Sequence, residues 1–263
     1  MRLPIYQIDA FTDSVFAGNP AAVVPLESWL PDTTLQSIAA ENNLAETAFF
    51  VPQGDGYELR WFTPTVEMDL CGHATLASAF AIATILEWGS SRIAFTTRKA
   101  GVLTVTRDGD LYTLDFPSRP PVPLAEAPAG LVEALGGPQP VAVLKSRDLL
   151  VVYEDEAAVR ALSPDMGALA RVDAFATCVT APGRDGVDFV SRFFAPGGGV
   201  PEDPVTGSAH CTLVPYWAER LGKTRLEARQ VSARGGALAC ELAGDRVKMG
   251  GKAVLYLEGS IFV

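Results

Sequence analysis

The sequence predicts an α+β protein of two similar halves, each a mostly antiparallel or mixed sheet, or an incomplete barrel, around one long apolar helix. Two observations carry this. First, the chain repeats itself. Thr47-Ala48-Phe49-Phe50-Val51-Pro52 followed by Asp55-Gly56 returns as Thr177-Cys178-Val179-Thr180-Ala181-Pro182 followed by Asp185-Gly186, at a constant offset of 130 positions. Second, an aromatic strand ending in proline follows each copy: Arg60-Trp61-Phe62-Thr63-Pro64, then Arg192-Phe193-Phe194-Ala195-Pro196. After each, a polar loop leads into Gly72-His73-Ala74 or Gly207-Ser208-Ala209, which opens an alanine-rich apolar segment. Self-similarity of this kind marks an internal duplication. We place the halves at 1–117 and 118–263, the last strand being free to return to the first half. The boundary falls at 117–128, a run with five of the 19 prolines and almost no periodicity.

The elements follow in order. Ile5 to Phe11 alternates like a strand, and Ala21-Ala22-Val23-Val24 reads as its neighbour. Between them, Gly18-Asn19-Pro20 is turn chemistry, read either as a plain turn or as a ligand-facing loop. A helix over 32–42 starts with Asp32 or Thr33 as cap. Glu46 leads into an apolar strand, either as a solvated edge carboxylate or as a partly buried acid suited to carrying protons. Residues 73–88 are apolar almost all round, which predicts a buried helix. Strands at 92–97 and 101–106 precede the turn Asp108-Gly109-Asp110. The second half has helical stretches at 128–136, 155–162 and 164–171 and strands at 141–153, 174–181 and 187–194. A helix from Ser208 to about Leu221 leads into four more strands. This alternation reads as hairpins and single helices rather than βαβ units.

Composition excludes several classes of function. A net charge of −10 with no basic run leaves no nucleic-acid footprint. The N-terminal residues lack the apolar run of a signal peptide, and no segment reaches the length of a membrane span. Cysteines at only 71, 178, 211 and 240 read as reduced thiols of a cytoplasmic protein. Gly197-Gly198-Gly199 lacks the ending of a P-loop and the spacing of a dinucleotide fingerprint.

Function concentrates at the two helix starts. Each offers backbone N–H groups and a positive dipole end suited to an anion such as a carboxylate, and Gly72 and Gly207 let a ligand approach the backbone. Ordinary N-caps would look the same singly, but the pair sits among Cys71, His73, Asp203, Thr206 and Ser208. Both histidines, His73 and His210, and the cysteines Cys71 and Cys211 lie here too. Cys-x-His and adjacent His-Cys are not zinc spacings, so no metal is expected.

These residues resemble a known family. Asp9-Ala10-Phe11-Thr12, Gly18-Asn19-Pro20, Asn43-Leu44-Ala45-Glu46-Thr47-Ala48-Phe49, Cys71-Gly72-His73-Ala74-Thr75 and Glu202-Asp203-Pro204-Val205-Thr206-Gly207-Ser208-Ala209 are similar to the PhzF family of phenazine-biosynthesis-like isomerases. The match runs in order over nearly the whole chain. The resemblance implies a diaminopimelate epimerase-like fold with its site between two domains. It implies a cofactor-free homodimer acting on a small carboxylate-bearing molecule, an amino acid or cyclic diene acid. In the phenazine enzyme that molecule is 2,3-dihydro-3-hydroxyanthranilate. Glu46 matches the carboxylate that moves a proton between two carbons. Asp203 and His73 match assisting catalytic positions. Asn19, Gly72, Thr206, Gly207 and Ser208 match substrate-binding ones.

One departure matters. Related epimerases and racemases carry a cysteine at each helix start, but the second start here reads Pro204-Val205-Thr206-Gly207, with no thiol. Two alternatives remain beside the Glu46 isomerase: an amino-acid epimerase or racemase using Cys71 and another base, and a non-catalytic small-molecule binding protein of the same fold.

Overall fold

The computed structural model describes residues 1–86 and 89–263. Its first unit comprises Met1–Phe116 and Met249–Val263. Strand β1 (Arg2–Ala10) pairs antiparallel with β2 (Asn19–Pro25) and with the closing strand Ala253–Phe262. Helix α1 (Asp32–Asn42) crosses over to β3 (Glu46–Gln53), which runs parallel to β2 with Glu46 opposite Ala21. The hairpin partner of β3 is β4 (Gly56–Phe62), and the two-residue β5 (Glu67–Met68) doubles back on β4. Helix α2 (Gly72–Thr84) then crosses to β6 (Arg92–Thr96), parallel to β4. Antiparallel β7 (Val102–Asp108) and β8 (Leu111–Pro117) turn through Gly109.

The second unit is Pro117–Lys248. Strand β9 (Val122–Pro123) precedes α3 (Leu131–Leu135) and pairs with β10 (Ala142–Lys145). After β10 and its hairpin partner β11 (Leu149–Val152), helices α4 (Glu156–Ala161) and α5 (Met166–Leu169) cross to β12 (Thr177–Pro182), parallel to β11. Strand β13 (Phe189–Ala195) folds back on β12, and β14 (Val200–Asp203) folds back on β13. Helix α6 (Gly207–Leu221) crosses to β15 (Arg225–Gln230), parallel to β13, and β16 (Gly236–Ala243) and β17 (Arg246–Gly251) follow.

The duplication is exact in register. Thr47 lies opposite Phe62 and Phe49 opposite Arg60, just as Thr177 lies opposite Phe194 and Val179 opposite Arg192. Each unit also packs helices on both faces of its sheet. Phe49, Val51 and Phe62 join Leu35, Ile38 and Ala39 of α1 on one face. In the second unit, Val179, Ala181 and Phe194 join Leu131, Val159 and Leu169 of α3, α4 and α5.

Four expectations change. The chain does contain βαβ units, because helices join the parallel pairs β2–β3, β4–β6, β11–β12 and β13–β15. A strand's apolar pattern reads the same in either direction, so only the crossover fixes the parallel pairing. The residue before α1 is Pro31, with no side-chain cap bond, because Asp32 is drawn instead to Arg60. Helix α2 is buried as expected but ends at Thr84, where the exposed Leu86 leaves the core and its N–H turns back to Ala81 O. The rest of the expected stretch, 87–88, lies outside the described residues. The proline-rich run at the boundary, the best candidate for a linker, is held against α6 by a backbone bond. Pro215 inside α6 lacks an N–H, which frees Cys211 O to accept the N–H of Arg119 at 2.8 Å.

Candidate active site

The pleat of β3 decides where Glu46 points. Successive strand side chains alternate between faces. Phe49 and Val51 pack on the α1 side, and Thr47 accepts a hydrogen bond from Asn42 of α1. Glu46, Ala48 and Phe50 therefore share the opposite face, the one against α2. Asn19 and Ala21 fall on that same face of β2, since Ala21 is the cross-strand partner of Glu46. The turn before Asn19 needs its glycine. Gly18 has φ +65°, and a Cβ there would lie 2.2 Å from Ala10 O.

His73, in the first turn of α2, links these groups. Its Nε2 lies 3.2 Å from Glu46 Oε2. Its Nδ1 lies 3.2 Å from Asn19 Nδ2 and 3.5 Å from Cys71 Sγ. Asn19 N–H and the Cys71 thiol both donate, so a neutral ring accepts at Nδ1 and carries its proton on Nε2, which approaches Glu46 without an aligned hydrogen bond. Asn19 is 0% exposed, and His73 and Cys71 are 4% and 5% exposed. The Glu46 side chain keeps 13% exposure, so the carboxylate is the most accessible of the four groups.

Burial opposes charge on His73, but neighbouring Cys71 and Glu46 outweigh it and hold the ring well above the usual histidine range. Burial, reinforced by Glu46, pushes the Cys71 thiol up to about 11. Cys71 is therefore a neutral thiol near pH 7 and meets the ring as a hydrogen-bond donor. Glu46, Cys71 and His73 bring ligand atoms within 4.8 Å of one another. Glu46 meets the ring at Nε2 and Cys71 meets it at Nδ1, so the carboxylate and the thiol touch different ring nitrogens while lying close to each other.

The second helix start is a different kind of structure. Thr206 Oγ1 donates to Asp203 Oδ2 at 2.6 Å, and Thr206 N–H donates to Gln230 Oε1 at 2.9 Å. Gln230 Nε2 donates back to Asp203 O at 2.6 Å. Gly207 opens α6 and is buried, while Ser208 beside it is half-buried. His210 Nδ1–H donates to Thr206 O at 2.9 Å, and burial pushes this ring down to about 4, so it is neutral. Cys211 is a buried core thiol, raised by burial to about 11. The expected residues thus form two groups: Asn19, Glu46, Gly72 and His73 in one unit, and Asp203, Thr206, Gly207 and Ser208 in the other. Sequence reasoning missed Gln230, which is 1% exposed and lies 24 positions from Thr206. No local pattern distinguishes it from any other polar residue in a strand.

The chain is similar to known proteins over its whole length. The model of phenazine biosynthesis-like proteins, PhzC-PhzF, matches residues 8–259. An uncharacterized isomerase of Pseudomonas aeruginosa is 54% identical over 261 residues, covering 99% of each chain. The crystal structure of a PhzF-family phenazine biosynthesis protein from Enterococcus faecalis aligns with a TM-score of 0.96 at 47% identity, covering 100% of both chains. A P. aeruginosa protein described as a predicted epimerase aligns with a TM-score of 0.73 at 21% identity over 99% of each chain, which shows the shared epimerase-like fold alone. Among the described residues, no helix is long and apolar enough to cross a membrane. The chain belongs to the phenazine biosynthesis-like, or PhzF, family.

Proposed function

We propose that this protein is a cofactor-independent isomerase that moves a proton between two carbons of a small carboxylate-bearing substrate, with Glu46 as general acid/base. The observation that carries the reading is the pair Glu46 Oε2 to His73 Nε2 at 3.2 Å, set in a dry wall with the carboxylate at its accessible end. Glu46 accepts a proton from a C–H bond and becomes a carboxylic acid, and the electron pair delocalises into the substrate's unsaturated acid. Glu46 then donates the same proton to a second carbon, so the atoms balance without an oxidant or reductant. His73 orients the carboxylate through Nε2–H and follows its change of charge. The relatives named as isomerases favour this class of reaction. Asp203, Thr206, Gly207 and Ser208 carry the proposed role of holding the substrate's polar groups. We further propose a cytoplasmic homodimer, which sedimentation would test.

A second reading has its own observation. Cys71 Sγ lies 3.5 Å from the same ring, which supports an epimerase or racemase using the thiol. NMR in deuterated water with 2,3-dihydro-3-hydroxyanthranilate, amino acids and cyclic dienoic acids separates the readings. Rearrangement or deuterium uptake lost in Glu46→Gln supports the isomerase. Exchange at an α-carbon lost on alkylation of Cys71 supports the epimerase. Binding without exchange supports a non-catalytic binding protein.

A further inference from the structure

We propose that Arg60 and Arg192 are positioning residues, each clamping the short strand that leads into a helix start and so setting the groups at that start. Arg60 grips Glu67 of β5 bidentately, Nε to Oε1 at 2.7 Å and Nη2 to Oε2 at 2.9 Å, and reaches Asp32 with Nη1 at 2.9 Å. Its guanidinium lies 5.1 Å from the ring centre of Trp29 and 4.9 Å from that of Phe62. Arg192 grips Glu202 in the same way, at 2.8 and 3.0 Å, and lies 4.9 Å from Phe194. Its remaining nitrogen donates to Val159 O and Leu162 O.

The spacing argues for position rather than general stability. Glu67 stands four residues before Cys71, the N-cap of α2, and Glu202 stands four before Thr206, the N-cap of α6. The second loop carries three extra residues between arginine and glutamate, yet the grip and the four-residue spacing survive. Neither entry strand can hold itself. β5 offers two paired residues and β14 two, with a register shift. A planar fork fixes direction as well as distance, which a lysine does not. The side chain of Arg60 is 1% exposed, so the clamp lies inside the unit and transmits its geometry to Cys71 and His73.

The chain's two histidines report separately on the two starts. His73 faces Glu46, Cys71 and Asn19, and His210 is bonded to Thr206 O. The test is ring ¹⁵N NMR of the full chain at neutral pH, with titration of His73. In Arg60→Lys we expect altered His73 ring shifts, with a midpoint falling by at least about 0.5 pH unit and His210 unmoved. Arg192→Lys should move His210 and spare His73. Glu67→Gln and Glu202→Gln repeat the comparison with a smaller lesion. Silent rings in folded variants, equal movement of both rings whichever arginine is changed, or unfolding of both variants at one clamp would overturn the proposal. The role of His73 beside Glu46 rests on the isomerase reading, but this measurement needs no substrate. A chain with no proton exchange and a selective His73 response would sink that reading and leave the clamp standing. Exchange with silent rings would do the reverse.

Discussion

The two helix starts belong to one repeat, and they differ in the side chains they gather. At the offset of 130 positions, Glu46 corresponds to Ala176; across the helix starts, Cys71 corresponds to Thr206, His73 to Ser208 and Thr75 to His210. Some roles persist through these exchanges. Thr75 Oγ1 donates to Cys71 O just as His210 Nδ1–H donates to Thr206 O, so two unlike side chains satisfy the same carbonyl. Other roles part. The first start gathers a carboxylate, an imidazole and a thiol around one point, whereas the second ties Asp203, Thr206 and Gln230 into a hydrogen-bonded lock. The scaffold is shared, and a few substitutions give one end a cluster of titratable groups and the other a hydrogen-bonded lock.

The largest expected effect breaks that contrast directly. Glu46→Gln should lower proton exchange by about 10² to 10⁴-fold with the fold intact, and adding Ala176→Glu should restore nothing, because position 176 has an alanine-to-carboxylate change without a His73 counterpart. Deuterium uptake measures both.

Next come the histidines, which should give opposite pH arms. His210 sits at about 4 when folded, below its ordinary value, so the unfolded chain binds the extra proton first. Stability is then full above pH 6.5 and falls toward pH 4, by about 3 kcal/mol in all. Replacing His210 with threonine, its counterpart in the first unit, should flatten this acid arm in urea titrations. His73 is raised when folded, so its contribution is present below pH 6.5 and is lost as pH rises through its folded value. His73→Asn should remove that alkaline arm.

A smaller effect tests the lock. Gln230→Leu strands Thr206 N–H and Asp203 O, and should cost about 2 kcal/mol in denaturant unfolding. The smallest is Thr75→Val, which removes the hydroxyl bond to Cys71 O at a cost of about 1 kcal/mol, since the Thr75 backbone N–H still satisfies that carbonyl.

Much of this was legible before any coordinates. The 130-residue repeat foretold two like units because equivalent side chains must fill equivalent positions, and the registers of Thr47 with Phe62 and Thr177 with Phe194 bear that out. The buried character of α2 followed from apolar residues on every side. Glu46, His73 and Asn19 were singled out by family resemblance, with Cys71 flagged beside them. The Arg-x-Phe step common to both halves was visible as well, but its clamp was not, because the glutamate partner lies seven positions on in one copy and ten in the other.

By itself, then, the sequence determined the duplication, the buried helices and the residue types gathered at each helix start, since these depend on local pattern and repetition. Tertiary structure alone decided the parallel crossovers, the face on which Glu46 meets the ring of His73, and the pairing of Gln230 with Thr206. Each of these depends on which strand lies beside which, and contacts between residues 24 or more positions apart leave no period in the chain to read.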